Sequence, residues 1–163
     1  METRPLGTTG TDVTEVGLGT WEIGGEWGDV AETRAREAVR TALDAGITFL
    51  DTADVYGDGR SERLLREVLT ERDEAPFVAT KAGRRLDPHT AERYTEANLR
   101  GFVDDSRERL GVETLDLLQL HCPPTDVYYQ PETFDALETL ADEDRIDSYG
   151  VSVERVEEAL KAI

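Results

Sequence analysis

Gly46-Ile47-Thr48-Phe49-Leu50-Asp51-Thr52-Ala53-Asp54-Val55-Tyr56-Gly57 is the stretch on which the reading of the fold turns. Before it, Ala31, Ala35, Ala38, Val39, Ala42 and Ala45 recur at helical spacing, and Asp29-Val30-Ala31-Glu32 resembles a capping box. Gly46 is the residue type that ends a helix. Ile47–Leu50 is a short apolar run of strand formers, and Asp51 follows it directly. The loop Asp54–Arg60 then carries a phenol, and a second helix places Leu64, Leu65, Val68 and Leu69 on one side. The unit is helix, glycine, buried strand, polar loop, helix.

The same unit repeats outward from this stretch. Phe77–Thr80 is the next strand. A long helix from about Ala91 to Leu110 groups Leu99, Phe102, Val103, Ser106 and Leu110, and Gly111 closes it. Leu115–Leu120 is apolar except at Asp116 and Gln119, and an irregular loop, Pro123–Gln130, follows. Pro131 can open a helix at its first position, with Phe134, Leu137, Leu140 and Ala141 inward. Tyr149–Ser152 is a fifth strand, and Val156, Ala159, Leu160 and Ile163 share a face of a last helix. Upstream, residues 4–15 read as a small hairpin, and Val16–Trp21 as a short buried strand entering a glycine-rich loop. Five β/α units imply a parallel sheet with helices over it. Their spacing of about 30 residues suits a (β/α) barrel and a doubly wound sheet equally.

Composition narrows the function classes. The 163 residues suffice for one domain with its own core. No apolar run approaches the roughly 20 residues of a membrane-spanning helix. The single cysteine, Cys122, allows no internal disulfide and suits a reducing cytoplasm. The net charge is -18, spread along the chain, and only two lysines occur, Lys81 and Lys161. This is the surface expected of a protein adapted to high salt, and it repels nucleic acid and anionic membranes. His89 and His121 are the only histidines, and no third ligand stands at zinc spacing, so no metal site is expected. Cys122 reads as a buried or pocket-wall thiol, and Asp54 and Asp58 read as solvated loop charges.

The chemistry-bearing residues stand where strands end. In a (β/α) barrel the strand C-termini share one face. Asp51, Lys81 and His121 each end an apolar run, and Tyr56 lies in the loop after one. A phenol gives up its proton more readily beside an ammonium, and a carboxylate keeps that ammonium charged and aimed. An imidazole can bond a carbonyl oxygen. Tyr56 is therefore the expected proton donor, Lys81 and Asp51 its tuning pair, and His121 the orienting group.

The combination resembles the aldo-keto reductase superfamily. It is carried by Gly17-Leu18-Gly19-Thr20-Trp21, Gly46 to Ala53 with Tyr56-Gly57, Thr80-Lys81, Leu115 to His121 and Gly150-Val151-Ser152. The resemblance implies a TIM barrel, here about five β/α units after an N-terminal hairpin. It makes residues 1–163 the N-terminal part of a reductase domain. It implies NADPH, or alternatively NADH, as hydride donor and a small aldehyde or ketone as substrate. Carried over by motif, the catalytic residues are Asp51, Tyr56, Lys81 and His121. The cofactor contacts are Gly19, Thr20, Trp21, Asp51 and Ser152, and Trp21, Tyr56 and His121 line the substrate pocket. Val153 stands where many relatives carry an asparagine that helps hold the nicotinamide. A full barrel needs eight units and about 250 residues. The expected protein is thus a half barrel, closed by self-association or by a missing C-terminal half. The alternative is a non-catalytic binding or regulatory module of the same fold.

Overall fold

The computed structural model describes residues 1–24, 31–73 and 75–163. The proposed capping box lies partly outside them, at Asp29 and Val30. The chain opens with an antiparallel hairpin, β1 (Thr3–Pro5) and β2 (Asp12–Thr14), with Thr3 opposite Thr14. Thr14 and Thr48 fasten this hairpin to the sheet: each backbone N–H donates to the other residue's Oγ1, at 3.1 and 3.0 Å.

Five parallel strands follow in sequential order: β3 (Leu18–Gly19), β4 (Phe49–Asp51), β5 (Phe77–Ala82), β6 (Leu117–His121) and β7 (Tyr149–Ser152). The helices between them are α1 (Glu32–Asp44), α2 (Arg60–Leu69), α3 (Glu96–Leu110) and α4 (Pro131–Asp142), and α5 (Val156–Ala162) comes last. A β/α alternation with strand order equal to chain order is that of a barrel built one unit at a time; a doubly wound sheet reverses its order partway.

Strands alternate their side chains between faces, and here one face is apolar. Leu50, Leu118 and Leu120 are fully buried against Leu65, Val68, Leu99, Val103, Leu137 and Leu140 of the helices. Burying each such side chain contributes about 1.5–3 kcal/mol. Leu118→Ala would lose about 2–5 kcal/mol through the cavity it leaves. Arginines of one helix reach acids on or just past the next around the outside: Arg36 with Glu67 at 2.6 Å, Arg40 with Glu71 at 2.6 Å, and Arg100 with Glu143.

Several local expectations change. The strand expected at Ile47–Leu50 is Phe49–Asp51, so Asp51 is its last residue and not the one after it. The helix expected from Ala91 is a 3-10 turn, Ala91–Arg93, followed by α3, whose cap is Thr95. Thr95 Oγ1 accepts from Asn98 N, and Gly111 closes the helix at φ 72°. Pro123–Gln130 is not irregular throughout, since Thr125–Tyr129 is a 3-10 helix. Among the described residues β3 is an edge of the five-stranded sheet, and the segment around it is buried only in part: Val16 is 56% exposed and Trp21 46%, while Thr20 is fully buried. The apolar face of α5 lies at the other edge, with Val156, Leu160 and Ile163 exposed.

Candidate active site

Register alone gathers most of the expected residues. Gly19 pairs with Asp51, Asp51 with Ala79, Lys81 with Gln119, and His121 with Ser152. Paired residues point to the same face, as do residues two apart along a strand. Gly19, Asp51, Lys81, Gln119, His121 and Ser152 therefore share the face opposite the helices. A one-residue slip in any strand would turn its member into the apolar layer.

Lys81 is the centre of this face. Its side chain is 7% exposed, and Nζ donates to Asp51 Oδ1 at 2.5 Å and to the Thr52 carbonyl at 2.8 Å. A buried ammonium needs such partners, since an unpaired one would cost several kcal/mol. Asp51 is aimed by a second donor, Gln119 Nε2, 3.5 Å from Oδ2. Lys81 Nζ also lies 5.3 Å from the centroid of the Tyr56 ring.

Tyr56 is held by backbone. Its N–H donates to Ala53 O at 3.2 Å, and its carbonyl accepts from Ser61 N at 3.2 Å, which ties the loop to the start of α2. A 3-10 turn, Glu22–Gly24, presses on it from the other side. Both contact glycines are required: a Cβ on Gly24 would meet the Tyr56 carbonyl carbon at 2.8 Å, and one on Gly57 would meet Gly24 O at 2.1 Å. Gly57 also has φ 59°, where a side chain is strained. The Tyr56 ring stacks on Trp21 at 6.4 Å and meets the edge of His121 at 5.9 Å, 87° between planes.

His121 is 8% exposed, and its Nδ1 has no hydrogen-bond partner among the described residues. Burial lowers its pKa from 6.5 to about 4, and the nearby Lys81, Arg84 and His89 push the same way. At neutral pH the imidazole is uncharged, with one N–H to donate and one nitrogen to accept.

The remaining expected residues divide in two. Ser152 Oγ lies 3.5 Å from Cys122 Sγ, and space is open in front of Gly19, where an added Cβ would touch nothing within 4 Å. Thr20 is fully buried; its Oγ1 donates to the Asp51 carbonyl at 2.9 Å and accepts from Ser61 Oγ at 2.7 Å. Its visible part here is as a brace for the end of β4. An exposed Trp21 indole, the Ser152 hydroxyl, the Asp51 carboxylate and the bare Gly19 backbone suit the flat, amide-bearing end of a nicotinamide. Cys122, half-buried at φ 47°, lines an open cavity of about 480 Å³ with Arg84, His89 and Arg155. No group of histidine, cysteine and acidic side chains fit for a metal occurs among the described residues, and none of their helices is long and apolar enough to cross a membrane.

Two residues of this neighbourhood escaped the sequence reading. Gln119 is legible in retrospect, two positions before His121 on the same face. Asp54 is a correction. Asp58 is exposed as expected and pairs with Arg85 at 2.7 Å, but Asp54 is fully buried. Burial raises its pKa to about 7, the Glu62 charge adds to the rise, and Arg85 and Arg109 oppose it.

Relatives share this arrangement of elements. The description "Aldo/keto reductase family" belongs to the family model that matches residues 15–162. Aldo-keto reductase YhdN of Bacillus subtilis (strain 168) is 35% identical over 156 residues, which are 93% of this chain and 47% of that protein. Among solved structures, the holo form of aldo-keto reductase AKR11C1 from Bacillus halodurans superposes with TM-score 0.84 at 35% identity, covering 99% of this chain and 54% of that one. An aldo-keto reductase from Klebsiella pneumoniae, solved in complex with NADPH, superposes at 0.76 with 28% identity, covering 92% and 49%. The chain spans about half the length of the relatives it matches. With its sheet order, its register and these likenesses together, the chain belongs to the aldo/keto reductase family.

Proposed function

We propose that the chain is the N-terminal part of a reductase barrel that transfers hydride between NAD(P)H and an aldehyde or ketone. The observation that carries this reading is the position of Lys81 Nζ, bonded to Asp51 and facing the Tyr56 ring while His121 meets the ring edge. When bound, the dihydronicotinamide supplies the hydride. Tyr56 Oη supplies the proton to the carbonyl oxygen. The negative charge this leaves on Oη is met by the Lys81 ammonium, which Asp51 and the Thr52 carbonyl hold in place. His121 orients the carbonyl as a neutral hydrogen-bonding group. Gly19, Trp21, Asp51 and Ser152 would receive the nicotinamide end, and Thr20 would set the Asp51 backbone. The NADPH complex of the Klebsiella relative favours a phosphorylated dinucleotide.

The reaction also needs the rest of the barrel. The sheet ends at β3 and β7 among the described residues, and the apolar side chains Trp21, Val156 and Leu160 stand at those edges. Closure by further β/α units would cover both edges. A chain that stays open would be a binding module without turnover.

In a completed barrel, Tyr56→Phe should lower turnover about a hundred- to ten-thousand-fold. Cofactor affinity, read as quenching of indole fluorescence, should be retained. Turnover near that of the parent would refute the assignment.

A further inference from the structure

Asp54 is two residues from Tyr56 and shares its turn. Its N–H donates to the Lys81 carbonyl at 3.2 Å, and the next bond in the turn runs from Tyr56 N to Ala53 O. The carboxyl points away from solvent. It is fully buried, and neither oxygen makes a full hydrogen bond among the described residues; the Val55 N–H nearby favours the charged form, but least of the surrounding groups.

The charged groups around it are already engaged. Glu62 of α2, also fully buried, accepts from Thr80 Oγ1 at 2.7 Å and lies 3.4 Å from Arg109 of α3. Arg109 is shared further with Asp105, and Arg85, after β5, is paired with Asp58. Tyr94, from the turn before α3, is 3% exposed and its phenol is held neutral chiefly by burial. A carboxylate at Asp54 would therefore be buried beside a second acid with no cation of its own, whereas a neutral carboxyl is tolerated there.

We infer that Asp54 is a positioning residue for Tyr56: uncharged, its carboxyl lets the Ala53–Tyr56 turn stay shut, and ionised, it drives that turn open. The route to water inferred for this side chain is rupture of the two backbone bonds that hold the turn, Asp54 N to Lys81 O and Tyr56 N to Ala53 O. Its raised pKa fits this. The folded acid binds its proton up to about pH 7 and the opened one only to about pH 4, so closure weakens as pH rises through that window and levels off above it. The positioning role rests on the proton-donor reading of Tyr56, but the switch itself does not.

The test is amide hydrogen exchange at Tyr56 and Ser61, corrected for base catalysis. Between about pH 5 and about pH 8 the opening equilibrium should grow on the order of 80-fold in the parent chain and stay nearly flat in Asp54→Asn. Equal pH dependence in the two chains would overturn the inference. If Asp54→Asn does not fold, the 13C resonance of the parent's Asp54 carboxyl decides: a midpoint near 7 supports the inference, and one in the ordinary carboxylate range overturns it. Neither readout uses turnover, so an inactive chain would leave the switch standing while sinking the reductase reading.

Discussion

Acid should destabilise the fold through His121, by an amount that follows from its burial. The folded imidazole is held down to about 4, against 6.5 for an ordinary histidine. In that window the unfolded chain binds a proton that the folded chain refuses, so stability is lost as pH falls from about 6.5 towards about 4. Integrated from about pH 7.5 to about pH 4.5, the loss is about 2.5 kcal/mol, a large share of a total of about 5–15 kcal/mol. Asp54 acts in the opposite sense. Held up to about 7, it binds its proton only in the folded chain, and the same acidification strengthens the fold by about 3 kcal/mol. The two nearly cancel in the parent, so the perturbation to make is His121→Asn. Urea unfolding in molar KCl, at both pH values, should show the variant gaining stability in acid relative to the parent by about 2.5 kcal/mol. Parallel pH dependence in parent and variant would refute the assignment of a buried neutral imidazole. So would a His121 ring resonance that titrates near 6.5.

Two further outcomes are expected. Gly57→Ala must place a methyl 2.1 Å from the Gly24 carbonyl oxygen at φ 59°. The left-handed conformation and the overpacking together should cost about 2–4 kcal/mol, read as a lower urea midpoint; a loss under about 1 kcal/mol would contradict the packing described. A net charge of -18 repels itself in dilute buffer. The melting temperature should therefore climb from low salt to molar KCl, and a constant one would contradict a salt-adapted surface.

Much of the fold was legible because it is written in local periods. The 3.6-residue apolar spacing of Leu64, Leu65 and Val68 and the run Leu117–Leu120, apolar but for Gln119, need a covered parallel sheet and little else. Helix ends were legible where a residue type is demanded, as at Gly111 and Pro131. The errors fell where burial depends on neighbours distant in sequence. Val16 looks like core, yet it stands just before a strand at the sheet edge and is 56% exposed, while Leu18 does pack against the core. Val156 and Leu160 have a helical apolar spacing, yet nothing among the described residues covers them.

The sequence by itself determined the set of candidate groups and their faces. Period two and the strand ends place Asp51, Lys81, His121 and Ser152 on one surface in any parallel sheet of that register. Tertiary structure alone decided their state. Lys81 became a partnered, buried ammonium because the Asp51 carboxylate and the Thr52 carbonyl converge on it from β4. His121 became a neutral imidazole because burial outweighs its hydration. Asp54 reads as a loop charge between two strand-and-helix signals, but the folded chain buries it with Glu62 of α2 and Arg109 of α3 nearby, leaving its carboxyl neither water nor a free cation. Charge state depends on desolvation and on partners brought from far along the chain, and a string of residue types carries neither quantity.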